Sequence, residues 1–423
     1  MPLNVWFTPT NPAHMGKFMP LMRCLRERGD QPTLFSVGAV PLAASECESA
    51  DFRFLQLPPC GFKGSRNHFR SALGLGRLAR AMETTLVQHR HEIDVVVLGG
   101  DTWVFSRTLI RTARRLGIPT VLLVDGLQLP PNPCYRLSLW RRIKSTLGSW
   151  IDLLVGSIGP RGSGGSDLIL VIDEMSRQLL IEEGIKPARL RVVGSPAFDQ
   201  MASRARPLTP DEERDWRHRL GIPQHRSVIA FMQQPVFDPP TVQHELLTSM
   251  IQACRACEAM LVVKFHPRSR ENTADWRRWA NEQGFGDSSV AFFTSECTAE
   301  DLARIAGACV TVFSTAVMDA FIYGKPVVII RYLNVPYELR YGSQYAAAID
   351  VHSPADFQQA FAAALHDDQV RDRLQRQVRF VLDKYFFGLD GRSADRVRNA
   401  LMEIVQHKKD DVSRAGTRSI RRR

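Results

Sequence analysis

The chain lacks any run of about 18 uninterrupted apolar residues, so no membrane-spanning helix is expected. Its first ten residues lack a basic stretch followed by a long apolar run, which argues against a secretory signal and makes the cytoplasm the expected compartment. There is no G-x-x-x-x-G-K-[ST] and no G-x-G-x-x-G, which disfavours kinases, ATPases and dehydrogenases. No D-x-D or H-E-x-x-H cluster is present, so neither a required metal nor a resident cofactor is expected. The eight cysteines are scattered. The lone C-x-x-C, Cys254 and Cys257, lies in an Ala-rich helical stretch with no second pair downstream. Buried, reduced thiols fit that setting better than a metal or redox centre.

What is present suits two domains of roughly 200 residues each, in a chain of 423. A hydrophobic content of 44% with 23% charged residues is ordinary for a globular protein. Nearly half of the net charge of +11 sits in the last sixteen residues. There Lys408, Lys409, Arg414, Arg418, Arg421, Arg422 and Arg423 face only Asp410 and Asp411. Such a tail is expected to be disordered and solvated. It suits an anionic membrane surface, where each basic residue contributes about 1 kcal/mol. Nucleic acid is not an expected partner, because no aromatic-basic platform accompanies the charge.

Short apolar runs alternate with helical patterns almost throughout, the signature of parallel sheets wrapped by helices. Strands are expected at Asn4 to Thr8, Thr33 to Ser36, Phe52 to Leu57, Val95 to Leu98, Thr120 to Val124, Leu168 to Val171 and Arg191 to Val193. A proline- and charge-rich stretch, Ser203 to Glu213, marks a linker or domain start. The alternation then restarts at Ser227 to Met232, Met260 to Phe265, Val290 to Phe293, Cys309 to Phe313 and Val327 to Ile330, followed by one long helix from about Pro354 to Leu382. The expected architecture is α/β, with two Rossmann-like domains facing a cleft. The N-terminal, acceptor-side domain would span residues 1–203 and a C-terminal nucleotide-binding domain 204–390. A closing helix would occupy 391–407 and the basic tail 408–423. Trp140 to Leu154 has an apolar stripe interleaved with Arg141, Arg142 and Lys144, as an interfacial helix would, or one packed on its own sheet. It is followed by the flexible-looking Gly159-Pro-Arg-Gly-Ser-Gly-Gly-Ser166.

In open α/β sheets ligands sit beyond the carboxyl ends of the strands, so the loops there carry the chemistry. His14 lies after the first strand, at a helix start that favours anions. Asp101, in Gly99-Gly-Asp-Thr102, and Asp125, in Asp125-Gly-Leu, each follow a buried strand, where partial burial raises a carboxyl toward the range of a base. A helix cap or turn is the alternative for both. Lys264-Phe-His-Pro-Arg268 sets a cation on each side of His266, fixed by Pro267, and suits a phosphate. Ser314 and Thr315 open a helix whose hydroxyls and free N–H groups bind phosphate oxygens, with Asp319 one turn on, in reach of ribose hydroxyls.

These residues resemble the GT-B superfamily. Gly194-Ser-Pro-Ala-Phe-Asp199 looks like its hinge motif, and Gly324-Lys-Pro326 with Ser314-Thr-Ala looks like its nucleotide-binding strand-helix. Asp390-Gly-Arg-Ser-Ala-Asp-Arg396 looks like the closing-helix motif of capsule and teichoic-acid transferases. Asp125-Gly126, His266-Pro267 and Ser314-Thr315 are similar to the ordered signatures of bacterial sialyl-, polysialyl- and Kdo-type glycosyltransferases and related CDP-glycerol glycerophosphotransferases. A more distant likeness is to UDP-N-acetylglucosamine 2-epimerases, although Gln233-Gln-Pro-Val236 stands where that family has a functional histidine.

The resemblance implies a glycosyltransferase that moves a sugar from a nucleotide donor to a hydroxyl of a glycan or lipid-linked acceptor in cell-surface polysaccharide or glycolipid synthesis, peripheral on the inner membrane face. Asp125 would be the base, with His14 and Asp101 behind it. Lys264, His266, Pro267, Arg268, Ser314, Thr315 and Asp319 would hold the donor. An epimerase-like isomerase, a glycerophosphotransferase and a catalytically inactive scaffold are the alternatives.

Overall fold

The computed structural model describes residues 2–10, 14–37, 52–57, 68–124, 126–135, 162–234, 240–266, 269, 271–342 and 344–420. Asp125, Pro267, Arg268 and the expected helix Trp140 to Leu154 lie outside them. The chain divides into two compact units. Unit 1 comprises Met1–Gln128, Leu137–Gln200 and Leu389–Arg423, and unit 2 comprises Leu129–Arg136 and Met201–Gly388.

Unit 1 is built on seven strands: Asn4–Thr8 (β1), Gln31–Ser36 (β2), Arg53–Gln56 (β3), Val95–Leu98 (β4), Thr120–Leu123 (β5), Leu168–Val171 (β6) and Leu190–Val192 (β7). They pair in the order β3-β2-β1-β4-β5-β6-β7, all parallel. The apolar runs explain this, because a parallel sheet is covered on both faces and its strands are hydrophobic on both sides. Val5, Phe7, Val95 and Val97 enter one core with Phe18, Leu21, Val397 and Leu401. Trp6, Val96 and Leu98, displaced by one residue, enter the other with Leu78, Met82, Leu109 and Ile110. The period of two thus sorts each strand between the helix layers. On the first face those layers are Met15–Glu27 and Ser393–Ile420; on the second they are His68–Gln88 and Val104–Arg115.

The last helix returns to the first unit and is pinned there. Arg398 grips Asp30 through two bonds, Nε to Oδ2 at 2.6 Å and Nη2 to Oδ1 at 3.1 Å. The Asp30 side chain is fully buried, and its Oδ1 also accepts the Leu3 N–H at 3.0 Å. Removing one partner of such a buried pair costs about 3–5 kcal/mol.

Unit 2 carries six parallel strands: Ser227–Met232 (β8), Ala259–Lys264 (β9), Val290–Phe293 (β10), Ala308–Thr311 (β11), Val327–Ile330 (β12) and Ile349–Val351 (β13). Their order is β10-β9-β8-β11-β12-β13. Each unit therefore has the doubly wound order, with its topological switch point between β1 and β4 or between β8 and β11. Residues 129–135, early in the chain, join unit 2. Asn132 N–H donates to the Pro336 carbonyl at 2.9 Å, and Asn132 Nδ2 to that of Val335 at 3.0 Å.

Four expectations need correction. The short, mixed strand β13 was not foreseen. The long helix from Pro354 is broken at Asp367, whose extended backbone lets its carboxylate cap the next helix, Asp368–Tyr385, by accepting Val370 N–H. The helix from Ser393 continues to Ile420, through residues expected to be disordered. Within it Gln406 bonds Asp410 at 2.9 Å, an i,i+4 pairing that supports continued helix. Finally, the glycine-rich stretch is anchored between 162 and 166. Asp101 accepts the N–H groups of Gly162 and Gly164, while Arg189 and Arg114 hold the carbonyls of Ser166 and Gly165. Among the described residues no helix is long and apolar enough to cross a membrane.

Candidate functional site

In unit 1, the switch-point loops after β1 and β4 meet at His14. The imidazole is buried (3% exposed), and its Nδ1 accepts the Thr10 N–H at 3.0 Å. Gly99 lies so close that a Cβ there would come within 2.1 Å of the ring, which explains a glycine at that strand end. The contact with Thr10 N–H places Nδ1 on the side of the Thr10 backbone.

Asp101 is held by backbone groups. It is wholly buried, Oδ1 accepts Gly162 N–H at 3.0 Å, and Oδ2 accepts Gly164 N–H at 2.7 Å. A Cβ on Gly164 would come within 2.5 Å of the Asp101 carbonyl, so the close approach itself requires glycine. Both carboxylate oxygens are committed to backbone, and Asp101 is a structural clasp. Sequence reasoning saw the aspartate but not its partners, because they lie about sixty residues on. A second clasp went unnoticed. Asp173 accepts from Ser176 Oγ at 2.6 Å, and Ser176 Oγ accepts Gln128 N–H at 3.0 Å, which ties down residues just after position 125. Burial pushes the Asp173 carboxyl up to about 6.

Unit 2 gathers the expected donor residues. Lys264, His266, Ser314, Thr315 and Asp319 line one cavity of about 680 Å³, together with Gln233, Ser269, Thr294 and Cys297. It opens beyond the carboxyl ends of β8, β9, β10 and β11, spanning the switch point. A smaller cavity of about 330 Å³ in unit 1, lined by Arg90, Asp94, Lys408 and Lys409, sits instead at the amino ends of β4 and β5.

The cavity's framework comes from two side chains the sequence offered only as a departure from a motif. Gln233 and Gln234 follow β8 and are both buried. Gln233 Oε1 accepts His266 N–H at 3.4 Å, and Gln234 Oε1 accepts Phe313 N–H at 3.0 Å. The pair therefore fastens the end of β8 to the segments that follow β9 and β11. A polar pair directly after an apolar strand was the available signal.

Two details differ from expectation. The helix after Ser314 was to offer free N–H groups, but most are occupied. Ser314 N–H donates to Thr311 Oγ1 and Ala316 N–H to Ser314 Oγ, both at 3.2 Å; Val317 and Met318 N–H donate to the carbonyls of Ser314 and Thr315. Lys264 is 9% exposed, its Nζ donates to the Thr294 carbonyl, and burial lowers its pKa.

Asp319 is half-buried as a residue, yet its carboxyl is desolvated enough to be pushed up to about 7, with the charge of Glu300 adding to the effect. Glu300 is itself held by Arg204 at 3.3 Å and by the Tyr323 hydroxyl at 2.8 Å. Cys297 is a free thiol raised by burial to about 11, which leaves it a poor nucleophile. The C-x-x-C cysteines are buried free thiols as well. The cavity thus offers hydroxyls, an ammonium and amide donors beside one carboxyl near neutrality, a set suited to binding an oxygen-rich anion.

Residues 167–403, more than half of the chain and including every residue named above as lining the unit 2 cavity, match the family of CDP-glycerol:poly(glycerophosphate) glycerophosphotransferases. The chain belongs to this family. In this glycerophosphotransferase-family protein, residues 17–196 additionally match the glycosyl transferase 4-like domain. No curated protein sequence gives a match.

Among solved structures, a glycosyltransferase from Rickettsia africae is similar with a TM-score of 0.62 and 12% identity, over 95% of this chain and 98% of that one. HepE from Anabaena, in complex with UDP and glucose, is similar with a TM-score of 0.60 and 12% identity, over 97% and 99%. The UDP-GlcNAc 2-epimerase of Methanocaldococcus jannaschii, in complex with UDP-GlcNAc and UDP, is similar with a TM-score of 0.59 and 15% identity, over 95% and 100%. At these identities the likeness is one of fold. The glycerophosphotransferase-family chain has the two parallel-sheet α/β domains of GT-B proteins.

Proposed function

We propose that the protein is a nucleotide-sugar-dependent glycosyltransferase of cell-surface polysaccharide or glycolipid synthesis, with the donor's phosphate held in the unit 2 cavity. The observation that carries the reading is the convergence of Lys264, His266, Ser314, Thr315 and Asp319 on one cavity at the switch point. UDP and sugar-nucleotide complexes of proteins with this fold support it.

In the proposed reaction an acceptor hydroxyl attacks the anomeric carbon, the bond from that carbon to the phosphate oxygen breaks, and the nucleotide leaves with the electron pair. Donors fixed in the cavity stabilise the growing negative charge, which is usually the largest catalytic contribution. Asp125 takes the hydroxyl proton in this scheme, and Asp319 holds the ribose hydroxyls. Pro267 and Arg268 complete the phosphate grip. The acceptor is a glycan or a lipid-linked chain, and the basic residues from Lys408 onward favour an anionic membrane face.

A second reading is favoured by the family match over residues 167–403, namely transfer of glycerol phosphate from CDP-glycerol through the same cavity. Incubation with UDP-, CMP- and GDP-sugars or with CDP-glycerol, each with and without lipid-linked glycan acceptors, separates the readings by mass spectrometry. Acceptor-dependent mass gain of one sugar is expected. Gain of a glycerol phosphate would support the second reading. Epimer formation from UDP-N-acetylglucosamine without acceptor would overturn the transferase proposal.

A further inference from the structure

The side-chain amide nitrogen of Gln233 is buried and has no hydrogen-bond partner among the described residues, in a side chain only 3% exposed that lines the unit 2 cavity. We propose that this nitrogen is a dedicated donor to a phosphoryl oxygen of the bound nucleotide, an assignment that rests on the nucleotide reading of the cavity.

The orientation of the amide is fixed by its other end. Gln233 Oε1 accepts the backbone N–H of His266, so rotating the amide by half a turn would set two donors against each other. The NH2 group is therefore held on the side away from that contact. A buried donor without an acceptor costs free energy that folding must offset elsewhere, and such groups in native proteins call for a ligand or a specific role. The adjacent Gln234 shows what a purely structural glutamine does here, with its oxygen spent on Phe313 N–H.

The remaining chemistry of the cavity points to a phosphoryl group as the acceptor. Lys264 Nζ gives one of its three donors to the Thr294 carbonyl, and the amides of Phe313, Ser314, Ala316, Val317 and Met318 are occupied. The neutral NH2 of Gln233 is thus an unspent donor in the cavity that Lys264 also lines. It also stands immediately after β8, the strand that pairs with β11 at the switch point of the sheet, where ligands of doubly wound folds bind.

Isothermal titration of the full chain with UDP, CDP, CMP, uridine and cytidine tests the assignment on wild type, Gln233→Met and Gln233→Glu. Gln233→Met keeps the length and removes the donor together with the oxygen that meets His266 N–H. Gln233→Glu keeps the oxygen that meets His266 N–H, and so remains informative should the methionine variant fold poorly. Both variants are expected to bind the phosphorylated nucleotides roughly 10- to 100-fold more weakly, the glutamate more so, with nucleoside affinity little changed. Thermal unfolding without ligand is expected to drop modestly in Gln233→Met, which also loses the contact with His266 N–H, so affinities are compared well below the melting temperature of each variant. Nucleotide affinity equal to wild type in both variants, or an equal loss for nucleosides and nucleotides, would overturn the assignment while leaving the cavity's function standing. Wild-type protein that binds none of the nucleotides would instead remove the functional reading and this assignment with it.

Discussion

Asp199 Oδ2 accepts the backbone N–H of Ser393 at 2.8 Å, joining two segments 194 residues apart in sequence. Ser393 is the first residue of the long C-terminal helix, and Asp199 sits in the first turn of the helix Pro196–Arg204. The two motifs, Gly194 to Asp199 and Asp390 to Arg396, are thus parts of one device. The first supplies the cap for the helix that the second begins. The turn before Ser393 is closed by Asp390, which accepts from Arg392 N–H and is held by Arg396.

Removing that cap should loosen the helix start. Asp199→Ala leaves Ser393 N–H without its acceptor and should cost about 1 kcal/mol, the usual worth of an N-cap. Amide exchange at residues 393–397 should accelerate, while β8 amides in unit 2 stay protected. Unchanged exchange at the helix start would contradict the capping role.

Asp101→Asn should lower stability together with activity. The carboxylate accepts two backbone N–H groups, and hydrogen bonds to a charged group contribute about 1.5–3 kcal/mol each. An asparagine oriented toward one glycine presents its NH2 group to the other. Urea unfolding should show a lower midpoint, whereas loss of activity at full stability would restore Asp101 as a base.

These two aspartates show what sequence alone reveals and what it hides. The strands were legible because a buried parallel strand such as Val95–Leu98 is apolar on both faces, and the six strands besides β1 in unit 1 lie within two residues of their expected bounds. β13 escaped because Ile349-Asp-Val351 is short and carries a charge. In the cavity, Lys264, His266, Ser314, Thr315 and Asp319 stand out in the sequence because each lies at a strand end or in the turn and helix that follow one. Their surroundings were not legible. The occupied amides after Ser314, the Thr294 carbonyl on Lys264 and the fastening by Gln233 and Gln234 depend on neighbours brought together by the sheet order.

The carboxyl of Asp319 gives unit 2 a distinct pH dependence. Its folded value near 7 lies above the ordinary value of 3.8, chiefly through burial. Between these values the folded chain holds a proton that the unfolded chain releases, so stability falls as pH rises through that window and levels off above it. Asp319→Asn removes the effect. At pH 8 the variant should be the more stable by ~2 kcal/mol, allowing for the partial exposure of the residue, and the advantage should vanish near pH 4. Parallel melting curves for the two proteins from pH 4 to 8 would contradict a desolvated carboxyl.

The central claim is that the cavity beyond β8, β9 and β11 holds a nucleotide by its phosphate. The most direct measurement is thermal unfolding of wild type and the Ser314→Ala, Thr315→Ala double variant with CMP, CDP, UDP, GDP and their sugar conjugates. At least one nucleotide should raise the wild-type melting temperature, by an amount equivalent to about 2.7 kcal/mol at roughly 100 times its dissociation constant, with a smaller rise in the double variant. A melting temperature unmoved by every nucleotide, or moved equally in both proteins, would contradict the account.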